Sequence, residues 1–363
     1  MIVFFALLGN ANEWGEIESF AKQKEEWLRN YLDLPNGIPT DDTIRIVMGN
    51  IDTEHFFRLA VGLLLETVNG IVCLSGKESR SSRRRDTGNG EVRALQTLNV
   101  YAGDYGICIG DRAIKEKTNE IPAAQEILPL LDLKDSIVTA DAMNCQKETA
   151  SAIVSAKGDH VLALKGNQPL FYQEVKEYFD GKRQEGLRQE EGCWYKTVEK
   201  EHGGIAVREY YITEDVGWYS EKEKWAKLRS IGMVKKTMTG NNGSTYEEVR
   251  YYICSIGEDA GEFERAARGH WKVENNLHWQ LDFTFRDDKN SSMAKTGAKN
   301  LQTMKKIVMA VLNTVKASYK LSMKRIRYEL SLDYENEAER LLSMLDINAV
   351  KEALNSKGKS PEK

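Results

Sequence analysis

The hydrophobic and polar positions of the first 66 residues repeat with helical spacing. Between residues 14 and 31, apolar side chains recur at three- and four-residue steps, which is typical of an amphipathic helix. Further helices are predicted over about 40–48, where Thr40 or Asp41 can form the N-cap, and over about 53–68. The apolar start, residues 1–8, predicts the beginning of a buried helix. Such an opening leads us to expect residues that precede the first methionine in a fuller version of the chain.

From residue 70 onward, short apolar runs alternate with helical segments. Strands are predicted at 71–74, 97–102, 106–113, 136–141 and 160–165, and helices after 118 and over 144–157 and 168–179. Strands that alternate with helices predict a mixed or parallel sheet covered on both faces. Active groups in such sheets usually lie at the carboxyl ends of the strands.

Two segments interrupt this alternation. The polar, basic stretch 79–90 is predicted to be a loop, and 193–256 is predicted to be a strand-rich insertion with turns at 202–204 and 239–244. The pattern is helical again over about 259–281 and 298–319. After Asn355 the chain is polar and is predicted to be disordered.

The composition limits the class of protein. A chain of 363 residues, 41% hydrophobic and 29% charged, indicates a globular protein of about two domains or one domain with an insertion. The net charge of −4 argues against a uniformly basic DNA-coating protein but not against local basic patches. No apolar run approaches the ~20 residues that cross a bilayer. Five separated cysteines without a CxxC pair favour a reducing cytoplasm over a disulfide scaffold or a zinc finger.

Polar residues follow two of the predicted strands. Asp141 fits a metal-binding carboxylate at the end of a strand, and it fits equally well the N-cap of the following helix. The run Lys165-Gly-Asn-Gln168 follows the next strand. Lysine and exposed backbone could contact phosphate there, although a simple strand-to-helix turn is the favoured interpretation.

A polar stripe marks the predicted helix over 259–281. His270, Glu274, His278 and Asp282 follow one another at four-residue steps. Each step advances ~400° around a helix, so these side chains lie along one slowly rotating line. The stripe could bind metal or phosphate, while a solvated face with local ion pairs is slightly favoured.

Basic residues are concentrated in two places. Residues 291–327 contain nine Lys or Arg and no Asp or Glu, and arginines stand at 80, 83, 84 and 85. Both clusters suit a phosphate backbone. For 291–327, contact with nucleic acid is modestly preferred over a solvated helix face, because a long acid-free stretch is unusual in an acidic chain.

Several motifs, in order, resemble one known family. They are Leu34-Pro-Asn-Gly-Ile-Pro39 with Thr43, Lys117-Thr-Asn-Glu-Ile-Pro122, Ile137-Val-Thr-Ala-Asp-Ala-Met143 with Cys145-Gln-Lys147, Leu162-Ala-Leu-Lys-Gly-Asn-Gln168, and His270-Trp-Lys-Val-Glu-Asn275 with Leu277-His-Trp279 and Leu281-Asp-Phe-Thr-Phe285. Together they resemble the bacterial insertion-sequence DDE transposases, the group that includes the H-repeat-associated proteins. The resemblance spans nearly the whole chain, from about residue 3 to 315.

This resemblance implies an α/β fold of the RNase H-like class, a mixed sheet with helices on both faces. The implied domains are a helical, transposase-associated N-terminal region at 1–66, a catalytic domain at 67–180 and 257–318, a strand-rich insertion at 181–256, and a helical or disordered tail at 319–363.

The resemblance also implies the chemistry. DDE transposases cut phosphodiester bonds at the ends of the element and join the freed 3′-hydroxyl to target DNA, with two Mg²⁺ (or Mn²⁺) ions assisting. Asp141 would be the second acid and Glu274 the third, both as metal ligands, since Mg²⁺ requires hard oxygen donors. The implied DNA contacts are Lys77, Arg83, Arg84, Arg85, Lys165, Asn167, Gln168, Arg268, His270 and Asn275. The implied partners are DNA and a possible homodimer, without a membrane, in the bacterial cytoplasm at the nucleoid.

The first acid departs from the family pattern. The family places Asp-Gly-Lys at the end of the first strand, whereas this chain has Ser75-Gly76-Lys77. A neutral hydroxyl is a poor substitute for a carboxylate that bridges two dications, so impaired catalysis is expected. Glu78 lies in the following loop, and we do not expect it to supply the missing ligand.

Three interpretations of function are therefore open. The leading one is a DDE transposase-family protein with impaired cleavage. The second is a catalytically dead DNA-binding remnant that occupies element ends or pairs with an active copy. The third, of a different class, is a metallohydrolase that binds zinc through His270, Glu274 and His278, although HxxxExxxH differs from the usual HExxH arrangement.

Overall fold

Four helices open the chain. The computed structural model describes residues 1–52, 55, 57–58, 61–62, 68–82, 84–86, 90–92, 94–115, 118–185, 192–201, 203–289 and 295–345. The opening helices are α1 (Ile2–Leu8), α2 (Trp14–Gln23), α3 (Glu25–Leu28) and α4 (Asp41–Asn50). Thr40 caps α4 by accepting a hydrogen bond from the backbone N–H of Thr43, as the sequence predicts. The helix predicted over 53–68 lies largely outside the described residues.

The next segment forms five strands: β1 (Gly70–Ser79), β2 (Arg84–Asp86), β3 (Gly90–Val92), β4 (Leu95–Ala102) and β5 (Ile107–Ala113). The strands predicted at 97–102 and 106–113 are confirmed as β4 and β5, which pair antiparallel as a hairpin. The loop prediction for 79–90 is wrong, because β2 and β3 form a small antiparallel sheet there. β1 also runs past its apolar part, since Lys77 and Ser79 are buried as well.

Strands and helices then alternate as predicted. The elements are α5 (Glu120–Ile127), β6 (Ser136–Ala140), α6 (Lys147–Ser155), β7 (Asp159–Leu164) and α7 (Pro169–Glu185). β6 pairs in parallel with both β1 and β7. Each of these parallel neighbours is reached through a helix, which is the connection that parallel strands require.

The strand-rich insertion is confirmed as four antiparallel strands: β8 (Trp194–Glu201), β9 (Gly204–Thr213), β10 (Ser230–Gly240) and β11 (Thr245–Cys254). β11 pairs with β7 and thereby extends the same sheet. Gly204 is required where β9 meets β10, because a Cβ there would lie 2.0 Å from the carbonyl oxygen of Thr239. His202, at the predicted turn, lies outside the described residues.

The remaining chain is helical: α8 (Ala260–Gly269), α9 (Trp271–Val273), a π-helical turn (Glu274–His278), α10 (Trp279–Phe283), α11 (Lys295–Tyr319), α12 (Met323–Leu332) and α13 (Tyr334–Met344). The single helix predicted over 259–281 is thus interrupted by the π turn. The predicted disordered tail after Asn355 lies outside the described residues. In the described part of the chain, every helix is too short or too polar to cross a membrane.

The chain divides into two compact units. The helical unit comprises Met1–Thr67, Gly76–Thr118 and Val273–Lys363, and the sheet unit comprises Val68–Ser75 and Asn119–Lys272. In the helical unit, β5, β4 and the end of β1 are successive strands. In the sheet unit, the order is the start of β1, then β6, β7, β11, β10, β9 and β8.

This mixed α/β arrangement confirms the predicted fold class. The RNase H-like prediction needs an antiparallel hairpin, a first strand and two parallel strands reached through helices. The structure contains each of these parts. The bounds of the two compact units differ from the predicted domain boundaries, which stay a prediction.

Close packing in the sheet unit explains two glycines. A Cβ at Gly269, the last residue of α8, would lie 2.7 Å from Cγ2 of Ile71 on β1. A Cβ at Gly232 on β10 would lie 2.4 Å from the ring of Phe263, which is completely buried. Helix α8 can therefore lie directly on the sheet, and this contact holds the residues around its end, including His270, close to β6.

Candidate active site

Ser75 and Asp141 lie at equivalent positions in the sheet unit, directly after the last paired residues of β1 and β6. β1 and β6 run in parallel with Leu74 opposite Ala140. Ser75 directly follows Leu74, and Asp141 directly follows Ala140. Ser75 is 8% exposed, whereas Asp141 is exposed to solvent. Adjacent strands lie about 4.8 Å apart, so position 75 is beside Asp141, where a pair of acids would be needed.

Asp141 is also an N-cap. It precedes a one-turn 3₁₀ helix (Ala142–Asn144), and its Oδ1 accepts the backbone N–H of Asn144 at 3.3 Å. The N-cap interpretation is therefore confirmed for this one-turn helix, whereas the longer helix that follows has Gln146 as its N-cap. It leaves room for the metal-ligand interpretation, because within the described residues the hydrogen bonds to this carboxylate end on Oδ1.

The run 165–168 forms the predicted strand-to-helix turn. Lys165 is exposed directly after β7, and α7 begins at Pro169. The side-chain amides of Asn167 and Gln168 donate to backbone carbonyls of the turn that follows Asp141. Lys165 is thus placed to meet an external phosphate, while the two amides next to it make contacts inside the protein.

His270 and Arg268 also lie in the sheet unit. Nδ1 of His270 lies 3.2 Å from Oγ1 of Thr139, two residues before Asp141 on β6. Arg268 is 35% exposed and pairs with Oε2 of Glu199 at 2.8 Å. Glu199 also accepts from Arg208, so Arg268 belongs to an ion-pair network with the insertion strands, and a DNA contact from it stays a prediction.

Glu274 begins the π turn in the helical unit. Its side chain is 46% exposed, and Oε2 lies 3.2 Å from Nδ1 of His278. His278 is buried and its Nε2 lies 3.5 Å from the side-chain nitrogen of Asn99. Asn275 is exposed in the same turn. π turns within helices occur frequently at functional sites, which supports the choice of this segment without testing the role of Glu274.

The predicted polar stripe forms only in part. Glu274 and His278 touch as their spacing predicts, whereas His270 contacts Thr139 and Asp282 contacts Lys77. Across the described residues, which include both histidines and both acids of the stripe, no group of three or more His, Cys, Asp or Glu side chains could hold a metal ion. The zinc interpretation finds no support in these contacts, because His270 contacts Thr139 while Glu274 contacts His278.

Lys77 is a buried partner in an ion pair. Its side chain is 4% exposed, and its Nζ lies 2.5 Å from Oδ1 of Asp282 and 3.8 Å from Oδ1 of Asp288. Burial raises the pKa of Asp282, against the opposing effect of Lys77. The expectation of a DNA contact at Lys77 finds no support here, because its ammonium group is enclosed by protein carboxylates.

The predicted arginine cluster can be placed only in outline. Arg84 and Arg85 lie in β2, and Arg83 lies outside the described residues. Their contact with DNA stays a prediction.

The preference for nucleic acid over segment 291–327 finds no support at the cations that face the protein, and it stays a prediction for the exposed ones. Lys305, Lys306 and Arg327 are completely or almost completely buried, and Lys299 is 17% exposed. Lys305 pairs with Asp287, and Lys306 and Lys299 pair with Asp111. The segment lacks its own acids because its lysines meet aspartates from other elements. The exposed cations in the rest of the segment are Lys316, Lys320, Lys324 and Arg325.

Two buried aspartates of the helical unit, Asp111 and Asp287, are kept charged by lysines. Burial works against the charge of Asp111, but Lys306 and Lys299 outweigh this penalty and lower the pKa of Asp111 to about 2. Asp287 is likewise kept charged, because Lys305 and its hydrogen bonds outweigh burial and lower its pKa. Asp111 thereby holds helix α11 against the hairpin of β4 and β5, and Asp287 links it to Ser79 of β1.

Asn144 is a residue at this site that the sequence does not reveal as important. It is completely buried, and its side-chain nitrogen lies 3.3 Å from Oδ1 of Asp141 and 3.0 Å from Oε2 of Glu120. A buried asparagine three residues after a capping aspartate is a weak signal, since Asn is common in turns. The burial that makes it informative is visible only in the structure.

Comparison with known protein families gives two matches. A family model described as "Transposase DDE domain" matches residues 72–310. A second model, described as "DDE_Tnp_1-associated", matches residues 1–61. The first covers more than half of the chain, including positions 75, 141 and 274.

Relatives match over most of their length. "Putative transposase YncI" of Escherichia coli O157:H7 is 32% identical over 335 residues, 90% of this chain and 84% of the relative. "H repeat-associated putative transposase YhhI" of Escherichia coli (strain K12) is 28% identical over 341 residues, 92% of this chain and 88% of the relative. These matches extend through both compact units.

Proposed function

Since this chain belongs to the DDE transposase family, we propose that it is an insertion-sequence transposase whose DNA cleavage is impaired because Ser75 replaces the first catalytic aspartate. One observation carries the proposal: Ser75 and Asp141 follow residues that pair across two parallel strands. That register puts position 75 beside Asp141, the proposed second acid, and so supports a sequence departure at the proposed active site.

Asp141 and Glu274 are the proposed acids, and both are exposed to solvent. When bound, Mg²⁺ or Mn²⁺ supplies activation of the attacking oxygen and neutralisation of the leaving oxygen. The donor set fits such ions poorly, because Ser75 offers a neutral hydroxyl where the family has a carboxylate. Two carboxylates leave a pair of dications under-neutralised, which is the proposed cause of the impairment.

The DNA is proposed to lie along the carboxyl ends of the strands. Lys165 is exposed at the end of β7, the strand next to the one that ends before Asp141. A lysine there would contact phosphate and position the backbone without reading sequence. Purified protein is expected to bind DNA with an affinity that falls as salt rises, and a complete lack of salt-dependent binding would contradict the proposal.

The decisive experiment restores the carboxylate. The chain and its Ser75→Asp form are compared for Mg²⁺- and Mn²⁺-dependent cleavage of DNA that carries the element's ends. We expect cleavage by the Ser75→Asp form and little or none by the chain as written. Ser75→Asn is the matched control, since it adds similar volume without charge and should remain inactive.

A second control identifies the partner acid. Asp141→Asn, introduced into the Ser75→Asp form, should abolish the restored cleavage. If both the chain and the Ser75→Asp form bind DNA but neither cuts it, the proposal of a single disabled ligand is wrong and the DNA-binding remnant becomes the better description. Cleavage by the chain as written would show that Ser75 is tolerated.

A further inference from the structure

The segment from the π turn through α10 carries apolar side chains on two faces. Leu277 and Leu281 are completely or almost completely buried in the helical unit. Trp279 and Phe283 are 50% and 51% exposed, and their rings stack with centroids 4.4 Å apart and 19° between the ring planes. A surface helix needs one apolar face to join the core, and the two leucines supply it. The stacked pair is therefore a second apolar face that the core does not require.

A lysine lies over this exposed pair. Nζ of Lys324, at the start of α12, is 4.5 Å from the centroid of the Phe283 ring. The electrons of the ring face attract the ammonium group. Lys324 is exposed, and Tyr328, one turn later on α12, is 54% exposed. We refer to Trp279, Phe283, Lys324 and Tyr328 as the aromatic strip, which combines flat apolar rings with a positive charge.

The charge of the aromatic strip is not cancelled by the acids next to it in sequence. Asp282 and Glu329 adjoin Phe283 and Tyr328, and each already pairs with another cation of the protein. Within the described residues, Lys324 forms no ion pair with an acid. Two lysines at the end of α11 are exposed as well, Lys316 and Lys320. The surroundings of the strip therefore favour a negatively charged partner.

A second aromatic stack, in the sheet unit, has a different environment. Tyr178 and Trp218 stack with centroids 5.5 Å apart, and Lys182 lies over the Tyr178 ring. Asp215 accepts hydrogen bonds from both, from the Tyr178 hydroxyl through its carboxylate at 3.0 Å and from Nε1 of Trp218 through its carbonyl at 2.8 Å. The polar atoms of this stack are thus bound within the protein, and a carboxylate lies where a phosphate would approach.

We propose that the aromatic strip binds an unpaired nucleotide of a DNA strand, with the base stacked on Trp279 and a neighbouring phosphate at Lys324. Stacking on an aromatic side chain needs a base with a free face, and duplex bases cover one another. A second copy of this chain fits less well, because a two-fold contact would place the strip against itself and bring like charges together. This inference rests on the proposed function, since a DNA end that is opened or cut supplies unpaired nucleotides.

The aromatic strip also follows closely on the proposed third acid, in the same unit. Trp279 comes five residues after Glu274, a rise of roughly 7 Å along a helix. Two stacked nucleotides of one strand cover about the same distance, at ~3.4 Å each. A strand whose phosphate lies at Glu274 would therefore reach Trp279 with one of its next nucleotides.

The test measures DNA binding by the full chain as written, in EDTA, through the fluorescence anisotropy of labelled DNA. Two probes share one duplex sequence, and one of them carries a short unpaired thymidine tail. We expect tighter binding of the tailed probe, and a loss of ~5–150-fold in that affinity for Trp279→Ala, which corresponds to one base–aromatic stack. Affinity for the blunt probe should stay unchanged. Trp218→Ala is the matched control, since Trp218 is a 36% exposed tryptophan in the other stack, and it should change neither affinity.

The blunt probe separates failure of the aromatic strip from failure of the proposed function. If the blunt probe is bound and Trp279→Ala keeps the affinity of the chain for the tailed probe, the strip is overturned and the proposed function stands. If neither probe is bound, both are overturned. If Trp279→Ala lowers the mass of the chain in sedimentation and leaves DNA binding unchanged, the strip is a surface for self-association, and the proposal is wrong. The cleavage experiment with Ser75→Asp bears on the proposed function alone.

Two further variants keep the test decisive if Trp279→Ala does not fold, as judged by circular dichroism. Trp279→Phe keeps an aromatic ring and should retain most of the affinity for the tailed probe, so a loss as large as that expected for Trp279→Ala would contradict stacking. Lys324→Gln removes one exposed charge. It should reduce the slope of log affinity against log salt by about 0.7 for the tailed probe, and an unchanged slope would contradict the phosphate contact.

Discussion

The turn at 165–168 and helix α11 both carry polar residues that are candidate DNA contacts in the sequence. In both regions, several of these residues bind other groups of the protein instead. They do so by different means. The turn satisfies backbone carbonyls with the neutral amides of Asn167 and Gln168. The helix buries ammonium groups, Lys305 and Lys306, against aspartates.

The difference predicts how each region responds to change. A neutral amide that is lost removes a hydrogen bond, whereas an acid that is lost leaves a buried cation uncompensated. The ion pairs also depend on pH, because the aspartates must stay charged. The helix should therefore lose more stability than the turn when one of its polar partners is removed.

The largest effect is expected for Asp111→Asn. It leaves Lys306, which is 1% exposed, next to a neutral group, and breaking a buried pair from one side costs about 3–5 kcal/mol in the free energy of unfolding. Urea unfolding followed by circular dichroism measures this. Asp132→Asn is the matched control, since Asp132 and its partner Lys157 are 70% and 69% exposed. Its effect should stay within about 0.5 kcal/mol, and an equally small effect for Asp111→Asn would refute the importance of the buried pair.

Low pH should reproduce part of the loss in unfolding free energy that Asp111→Asn causes. The pKa of Asp111 is lowered from 3.8 to about 2 in the fold, so its contribution is complete above pH 4 and disappears as pH falls toward 2. A shift of this size corresponds to about 2 kcal/mol. The measurement is the unfolding free energy between pH 5 and pH 2 for the chain and for Asp111→Asn. Parallel curves for the two proteins in that range would contradict this assignment.

A smaller effect on stability is expected for Gln168→Met. It removes one neutral donor from the Cys145 carbonyl, which corresponds to about 1 kcal/mol in the free energy of unfolding. Because no charge is involved, the loss should be the same at pH 4 and at pH 7. A loss as large as that of Asp111→Asn would remove the contrast between the two regions.

The smallest effect on stability is expected for Lys165→Ala. This side chain is exposed, so the free energy of unfolding should change by less than about 0.5 kcal/mol. DNA affinity should fall about equally for different sequences, and the slope of log affinity against log salt should decrease by about 1. Unchanged DNA binding would leave the whole run 165–168 without a DNA contact.

Much of the fold follows from local patterns along the chain. Strands and helices alternate from β6 to α7, and the insertion forms hairpins. Both features depend on the spacing of apolar side chains and on turn residues, which are visible in short stretches of the sequence. The segment 79–90 was mispredicted because its strands are polar and pair only with each other. The π turn at Glu274 was missed because a one-residue change of helical hydrogen bonding has no strong sequence pattern.

By itself the sequence determined the family, through motifs spread over the chain. It also revealed the exceptional residue, Ser75, where the family pattern has an aspartate. It further determined that Asp141 and the run 165–168 would come at the ends of two successive strands of the chain, whereas the pairing of those strands is seen only in the structure. Only the tertiary structure decided which polar groups face water. Asn167 and Gln168 bond carbonyls that another loop brings to them, and Lys305 and Lys306 meet aspartates distant in sequence, Asp287 and Asp111. The physical reason is that a lysine or an amide has the same local pattern whether water or a distant partner satisfies it, and only folding brings that partner into contact.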